Sequence, residues 1–246
     1  LGKDAKIIAP NQFPDFLKWM PDADNIIIYQ SEPTKIKDFV IISDLIFCLD
    51  FNAPKRMDDM GAVLKYAEGF KVLIDHHVEP EDFADLNFSI IQTSSTAEIV
   101  FWLIKALNMS KYLNKQAAEA LFVGIMTDTG SFSYACNYAD TFNAASELIE
   151  LGVDVESVNQ KVYSTYSESR LRLLGHAISQ RLKVLPDYST AYIYLSKEDL
   201  KTFNFKIGDT EGIVNYALSI SGINFAAIFI EKEKLVRVSF RSKGSF

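Results

Sequence analysis

The chain has 246 residues, a formal net charge of −7, and 48% hydrophobic and 23% charged residues. At ~150 residues per domain this length holds one large domain or two small ones, with enough apolar material for a sizeable core. The acidic balance excludes a protein that coats long nucleic acid through many Lys and Arg contacts to phosphate, yet leaves room for a small anionic substrate. Cys48 and Cys136 are the only cysteines. Two are too few for a disulfide scaffold or a thiolate zinc cluster, so a reducing, cytoplasmic setting is the expectation. No apolar run approaches the ~20 residues that span a bilayer, so no membrane partner is expected. No signal peptide opens the chain, and both its start, Leu1-Gly2-Lys3-Asp4-Ala5, and its end read as the interior of a longer protein.

The first half alternates short apolar runs with amphipathic stretches. Segments 6–9, 25–29, 45–49 and 71–74 are rich in Ile, Leu and Val and predict buried strands. Segments 13–20 and 57–67 between them predict helices, so the pattern implies βαβ units around a parallel sheet. Ser94-Ser95-Thr96 predicts the cap of a helix over 97–107, with Glu98 in the first turn where a carboxylate suits the dipole. Helices are predicted over 117–126 and 141–151, the latter closed by Gly152. A connecting helix is predicted over 168–182. After Pro186 the style changes. Segments 190–195, 224–231 and 235–241 predict strands, with a hairpin turn at Glu231-Lys232-Glu233-Lys234, and 210–221 predicts a helix. The expected fold class is α/β: a parallel-sheet domain over 1–154, a helical connector over 155–186, and a smaller α+β domain over 187–246.

The chain has only three histidines, and two of them, His76 and His77, directly follow Asp75 at the end of an apolar run. Imidazole is a common metal ligand and the side chain best suited to proton traffic near neutral pH. Asp50 ends the 45–49 strand and Asp128 follows the 117–126 helix. In a parallel α/β sheet ligand sites lie beyond the carboxyl ends of the strands, so Asp50, His76 and Asp128 are expected to converge. Carboxylates with imidazole form a mixed O/N donor set that suits Mn²⁺, Mg²⁺ or Fe²⁺ better than a sulfur-rich zinc site. The bland readings stand beside these: a lone Asp at a strand end is a turn residue, and Ser94-Ser95-Thr96 is a helix cap.

Asp75-His76-His77 resembles the signature that names the DHH phosphoesterases. Leu49-Asp50-Phe51-Asn52 with Arg56 resembles that family's second motif. Gly124-Ile125-Met126-Thr127-Asp128-Thr129-Gly130-Ser131-Phe132 resembles its fourth. Ser94-Ser95-Thr96-Ala97-Glu98 resembles the segment after DHH in the branch of nanoRNases and 3′-phosphoadenosine 5′-phosphate (pAp) phosphatases, which is RecJ-like. Thr210-Glu211-Gly212 with Asn215, then Ser239-Phe240-Arg241-Ser242-Lys243-Gly244, resembles that branch's C-terminal DHHA1 domain. The resemblance implies a centre of two Mn²⁺ ions, with Mg²⁺ as the alternative. It assigns Asp50, His76 and Asp128 as metal ligands. It sets His77 beside the scissile phosphate and Asp75 as the partner that orients histidine. Arg241 is expected to grip a substrate phosphate with its forked guanidinium. Ser242, Arg56 and Ser95 are further substrate candidates. The expected substrates are short oligonucleotides and pAp; a homodimer is left open. The alternatives are a cyclic-dinucleotide or linear dinucleotide phosphodiesterase and a catalytically weak nucleotide-binding regulator. The family's first motif, a His followed by an Asp-x-Asp pair, and its Gly-rich segment ending in His are not in this sequence. They are read as lying outside it, since Asp50, His76, His77 and Asp128 are all retained.

Overall fold

The structure, a computed structural model, describes residues 3–244. It forms two compact units. One runs to Gln12 and resumes over Leu17–Ser164; the other takes in Phe13–Phe16 and begins again at Thr165. The expected connector over 155–186 is therefore divided. Its first helix, Val155–Tyr163, packs in the first unit, and the remainder belongs to the second.

In the first unit the anticipated strands fall into two parallel sheets rather than one. β1 (Ile8–Ala9) pairs with β2 (Ile27–Ile28). Helix α1 (Pro33–Ile41), with Pro at its start, was not singled out by the sequence reading. It leads to a second sheet of order β3-β4-β5: β3 (Leu45–Leu49), β4 (Phe70–Asp75) and β5 (Leu86–Ser89), all parallel. β4 is the central strand and buries both faces. Leu73 joins Ile36, Val40, Cys48, Met60 and Val63 on one side, and Val72 and Ile74 meet Ile99 on the other. β3 departs from expectation. Its sequence reads as a buried strand, yet β3 is an edge strand and only one face of it, Ile46 and Cys48, meets the core, while Leu45, Phe47 and Leu49 on the other face are 50%, 55% and 47% exposed.

The two helices expected over 13–20 and 57–67 do not form as α-helices. Pro14 and Pro21 bracket the first segment and leave a single 3₁₀ turn, Asp15–Leu17. The second is 3₁₀-helical over Pro54–Tyr66 and broken at Met57 and Asp58, the latter with φ 49°. Gly61 allows this path: a Cβ there would stand 1.9 Å from the Pro54 carbonyl oxygen. The later helices match the periodicity. They are α2 (Thr96–Ala106), α3 (Lys115–Asp128), α4 (Ala139–Glu150) and α5 (Val155–Tyr163).

The second unit has a mixed sheet of order β6-β7-β8-β9. Helix α6 (Glu168–His176) runs straight into a π-helical turn, Ala177–Arg181, so the predicted 168–182 helix forms but for its last residue, Leu182, which opens β6 (Leu182–Leu185). β7 (Thr190–Leu195) pairs antiparallel with β6 and parallel with β8 (Phe225–Glu231). The expected hairpin joins β8 to β9 (Val236–Ser242). Between β7 and β8 lie α7 (Lys197–Thr202), which the sequence reading passed over, and α8 (Ile213–Leu218). Ala191, Ile193 and Leu195 alternate inward with Ala226, Ile228 and Ile230, and with Leu173, Ile213 and Ala217 they form the core.

A buried carboxylate, Asp199, secures the π-helical corner. Its Oδ1 accepts hydrogen bonds from His176 Nε2 and Arg181, each at 2.8 Å, and its Oδ2 accepts from the Ser196 N–H at 2.9 Å. The Asp199 N–H donates to Ser196 Oγ, which completes a capping box. Burial alone would raise the Asp199 pKa, but the bonds from Arg181, Ser196 and His176 outweigh it and hold the carboxyl well below the usual carboxylate range. A carboxylate with a depressed folded-state pKa contributes stability above its unfolded value of about 3.9 and loses it as pH falls below that value. Denaturant melts from pH 7 to pH 3 should therefore show a loss of stability below about pH 4 that Asp199→Asn diminishes. The variant should cost about 3 kcal/mol at pH 7, as expected when one partner of a buried ion pair is removed. An unchanged slope would show that Asp199 does not carry it.

Candidate metal centre

The site is built at the carboxyl ends of β3 and β4, where a parallel sheet leaves side chains free to converge. Leu49 pairs with Ile74, so the two strands finish level, and the Asp50 N–H donates to the Ile74 carbonyl at 3.1 Å. This ties the first residue after β3 to the end of β4. Asp50 takes φ 66°, a left-handed conformation that Asp tolerates better than most residues.

β4 ends in Asp75, which is fully buried. Its carboxylate turns back to His77: Oδ1 lies 2.7 Å from His77 Nδ1 and Oδ2 accepts the His77 N–H at 3.1 Å. With Nδ1 held by a carboxylate, the tautomer that leaves the Nε2 lone pair free is favoured. His76 is placed differently. Its Nε2 lies 3.6 Å from Asp50 Oδ1 and 3.8 Å from Asp128 Oδ2, between two carboxylates. The His76 and His77 rings meet edge to face with centroids 4.8 Å apart.

Asp128 is the last residue of α3. Helix α3 reaches this position because Gly124 lies against α2: a Cβ on Gly124 would stand 2.5 Å from the Ala97 Cβ. Asp128 is one helical turn beyond Gly124 and shares its face. The Tyr163 hydroxyl on α5 donates to the Met126 carbonyl at 3.2 Å and braces this end of the helix.

The electrostatics follow from crowding. Burial, with the Asp50 carboxylate adding to it and His77 opposing both, pushes the Asp128 carboxyl up to about 7. Burial lowers the His76 pKa, and the charges of His77 and Arg56 add to that effect against the pull of Asp50 and Asp75. A neutral imidazole beside carboxylates that repel one another is the condition in which a cation is bound most readily. Asp50, His76 and His77 each offer one donor atom within 4.8 Å of the others. The set is mixed oxygen and nitrogen with no sulfur, which fits Mn²⁺ or Mg²⁺ by donor chemistry.

The remaining predicted residues divide in two. Arg56 is exposed near the site, with its guanidinium 3.4 Å from the Asn52 side-chain oxygen. Ser95 is fully buried, and its hydroxyl accepts the Glu98 N–H at 3.1 Å as the cap of α2. That bond gives it the capping role. Arg241 and Ser242 are exposed on β9 in the second unit; the Arg241 guanidinium donates to the Phe240 carbonyl at 2.8 Å. Thr96, expected only as part of a helix cap, is the first residue of α2, and its hydroxyl donates to Asp50 Oδ1 at 2.8 Å across 46 positions of sequence. The Ser94–Glu98 segment was noticed, but nothing in its local pattern reveals a partner so far away.

Residues 3–125 match the family described as DHH family, N-terminal domain. The chain is 29% identical over 202 residues to the bifunctional oligoribonuclease and PAP phosphatase NrnA of Bacillus subtilis (81% of this chain, 62% of that protein). To the protein of the same name from Thermus thermophilus it is 25% identical over 244 residues (99% of this chain, 68% of that one). The chain thus spans a little under two thirds of the length of the Bacillus relative. A crystal structure of an exopolyphosphatase-related protein from Bacteroides fragilis superposes with a TM-score of 0.91 at 42% identity, covering 98% of this chain and 71% of that one.

The Asp75–His77 contact makes a direct prediction. Nitrogen NMR of the imidazoles should show His77 with its proton on Nδ1. Asp75→Ala should convert it to a mixture of tautomers and destabilise the protein by about 2 kcal/mol, the cost of leaving buried donors unpaired. An unchanged tautomer ratio would contradict the orienting role of Asp75.

Proposed function

The chain belongs to the DHH family, and from that premise we propose that it is the catalytic part of a metal-dependent phosphoesterase that hydrolyses short oligonucleotides to 5′-mononucleotides and pAp to AMP. The observation that carries this reading is the convergence of Asp50, His76, His77 and Asp128 where β3, β4 and α3 end. The names of the Bacillus and Thermus relatives supply the substrate class. The net charge of −7 agrees with short substrates rather than long nucleic acid.

Asp50, His76 and Asp128 would hold the metal, with Mn²⁺ favoured. When bound, such ions lower the pKa of a coordinated water and neutralise charge on a transferring phosphoryl group. The protein's own contribution is placement. Asp75 holds the His77 ring by Nδ1, which leaves the Nε2 lone pair to take up a proton and then donate it toward a phosphate oxygen. Arg56, exposed on the same unit, adds positive charge beside the ligands. Arg241 and Ser242 on β9 are proposed to hold a phosphate or terminal nucleotide, a forked guanidinium being suited to phosphate. Ser95 contributes through the cap of α2.

The reading is tested by incubating the full-length protein with di- to pentanucleotides and pAp, with and without Mn²⁺. The expected result is release of 5′-mononucleotides and AMP only when metal is present. No metal-dependent product from any of these substrates would overturn it. His76→Ala and Asp128→Ala should each abolish turnover while the thermal melt stays cooperative; activity retained in both would remove them from the centre. Arg241→Ala should raise KM for a dinucleotide with little change in kcat, as expected for lost substrate binding.

A further inference from the structure

We propose that Thr96 is a positioning residue for Asp50, fixing the carboxylate in the orientation in which it receives metal. This rests on the metal-centre reading and goes beyond it, since Thr96 is not among the ligands or substrate residues proposed above.

The backbone of Asp50 is tied to β4, but its side chain is poorly anchored by its own surroundings. Its backbone is left-handed at φ 66°, and its side chain is 52% exposed. An aspartate there turns freely about two side-chain torsions, and each wrong rotamer costs ligand affinity through the entropy of reordering. Among the described residues the Thr96 hydroxyl is the one hydrogen-bond donor to that carboxylate, at 2.8 Å. By occupying one lone pair of Oδ1 it sets the plane of the group and leaves Oδ2 and the remaining lone pair of Oδ1 for cations.

Thr96 is itself held from behind. It is the first residue of α2, and Ser95 caps that helix. The Ser94 N–H and hydroxyl donate to Glu98 Oε2 at 3.0 and 2.5 Å, and the Thr141 hydroxyl of α4 donates to the same oxygen at 2.8 Å. Glu98 is 2% exposed. A buried carboxylate that gathers three donors is costly to disturb, so the Ser94–Thr96 turn is rigid where it meets Asp50. The β-branched threonine is restricted in χ1 and holds its hydroxyl more firmly than serine would. A helix-start threonine with no such role would need only some acceptor, and its loss would leave the affinity of a distant ligand set unchanged.

The experiment measures Mn²⁺ affinity of the full-length protein by electron paramagnetic resonance of free Mn²⁺, without substrate, for the wild type, Thr96→Val and Thr96→Ser. Thermal melts without metal serve as the control on folding. Thr96→Val keeps the shape and removes the donor, and it should weaken Mn²⁺ binding at least ~10-fold, as loss of a partner behind a ligand does. Thr96→Ser should recover most of that loss, and the metal-free melts should coincide. Should the valine variant melt early, Thr96→Ala takes its place with the same expectation. Wild-type affinity in a folded Val or Ala variant overturns the proposal and leaves the metal centre standing. A wild type that binds no Mn²⁺ overturns the metal centre, and the role of Thr96 with it.

Discussion

Two carboxylates, Asp50 and Asp128, flank the imidazole of His76, within 3.6 and 3.8 Å of its Nε2. Burial first, and then the charge of Asp50, push the carboxyl of Asp128 up to about 7, so a bare site holds its negative charge at a cost that includes repulsion. A fold gains nothing in stability from such a cluster. Its presence is understood if a cation completes it, because the same repulsion that destabilises the bare site is the driving force for binding.

The scaffold keeps the cluster together by rigid means. β4, buried on both faces, fixes where Asp75 and the histidines emerge, and the level ending of β3 fixes Asp50 through the Asp50–Ile74 hydrogen bond. α3 brings Asp128 from a different direction, and the absence of a side chain at Gly124 sets its approach to α2. Each acidic group comes from a separate element. The geometry therefore belongs to the packing of the whole first unit rather than to any one loop. The buried Glu98 network serves the same end from the second layer of contacts, through the turn that carries Thr96.

The strongest signals in the sequence were local ones. Asp75-His76-His77 after an apolar run, Asp50 after another, and Asp128 closing a periodic helix are readable from spacing, and the structure brings these residues together. The strands over 45–49 and 190–195 were legible for the same reason. What escaped depended on partners distant in sequence. Nothing in Leu45–Leu49 distinguishes a central strand from an edge, because that is decided by which segments pair beside it. The short strand β5 carries a weak apolar pattern, Leu-Asn-Phe-Ser, and owes its existence to pairing with β4. The change from α to π winding after His176 escaped the helical pattern; Asp199, which bonds to His176 and Arg181 on either side of it, lies about twenty positions downstream. Ser95 could be read as cap or as ligand, and its burial under α2 favours the cap.

The central claim is that Asp50, His76 and Asp128 form a metal site. The most direct measurement is anomalous diffraction at the manganese edge from crystals of the full-length protein grown with Mn²⁺. The expected result is an anomalous peak within ligand distance of Asp50, His76 and Asp128. Strong Mn²⁺ peaks elsewhere on the protein, with none at these three side chains, would contradict it.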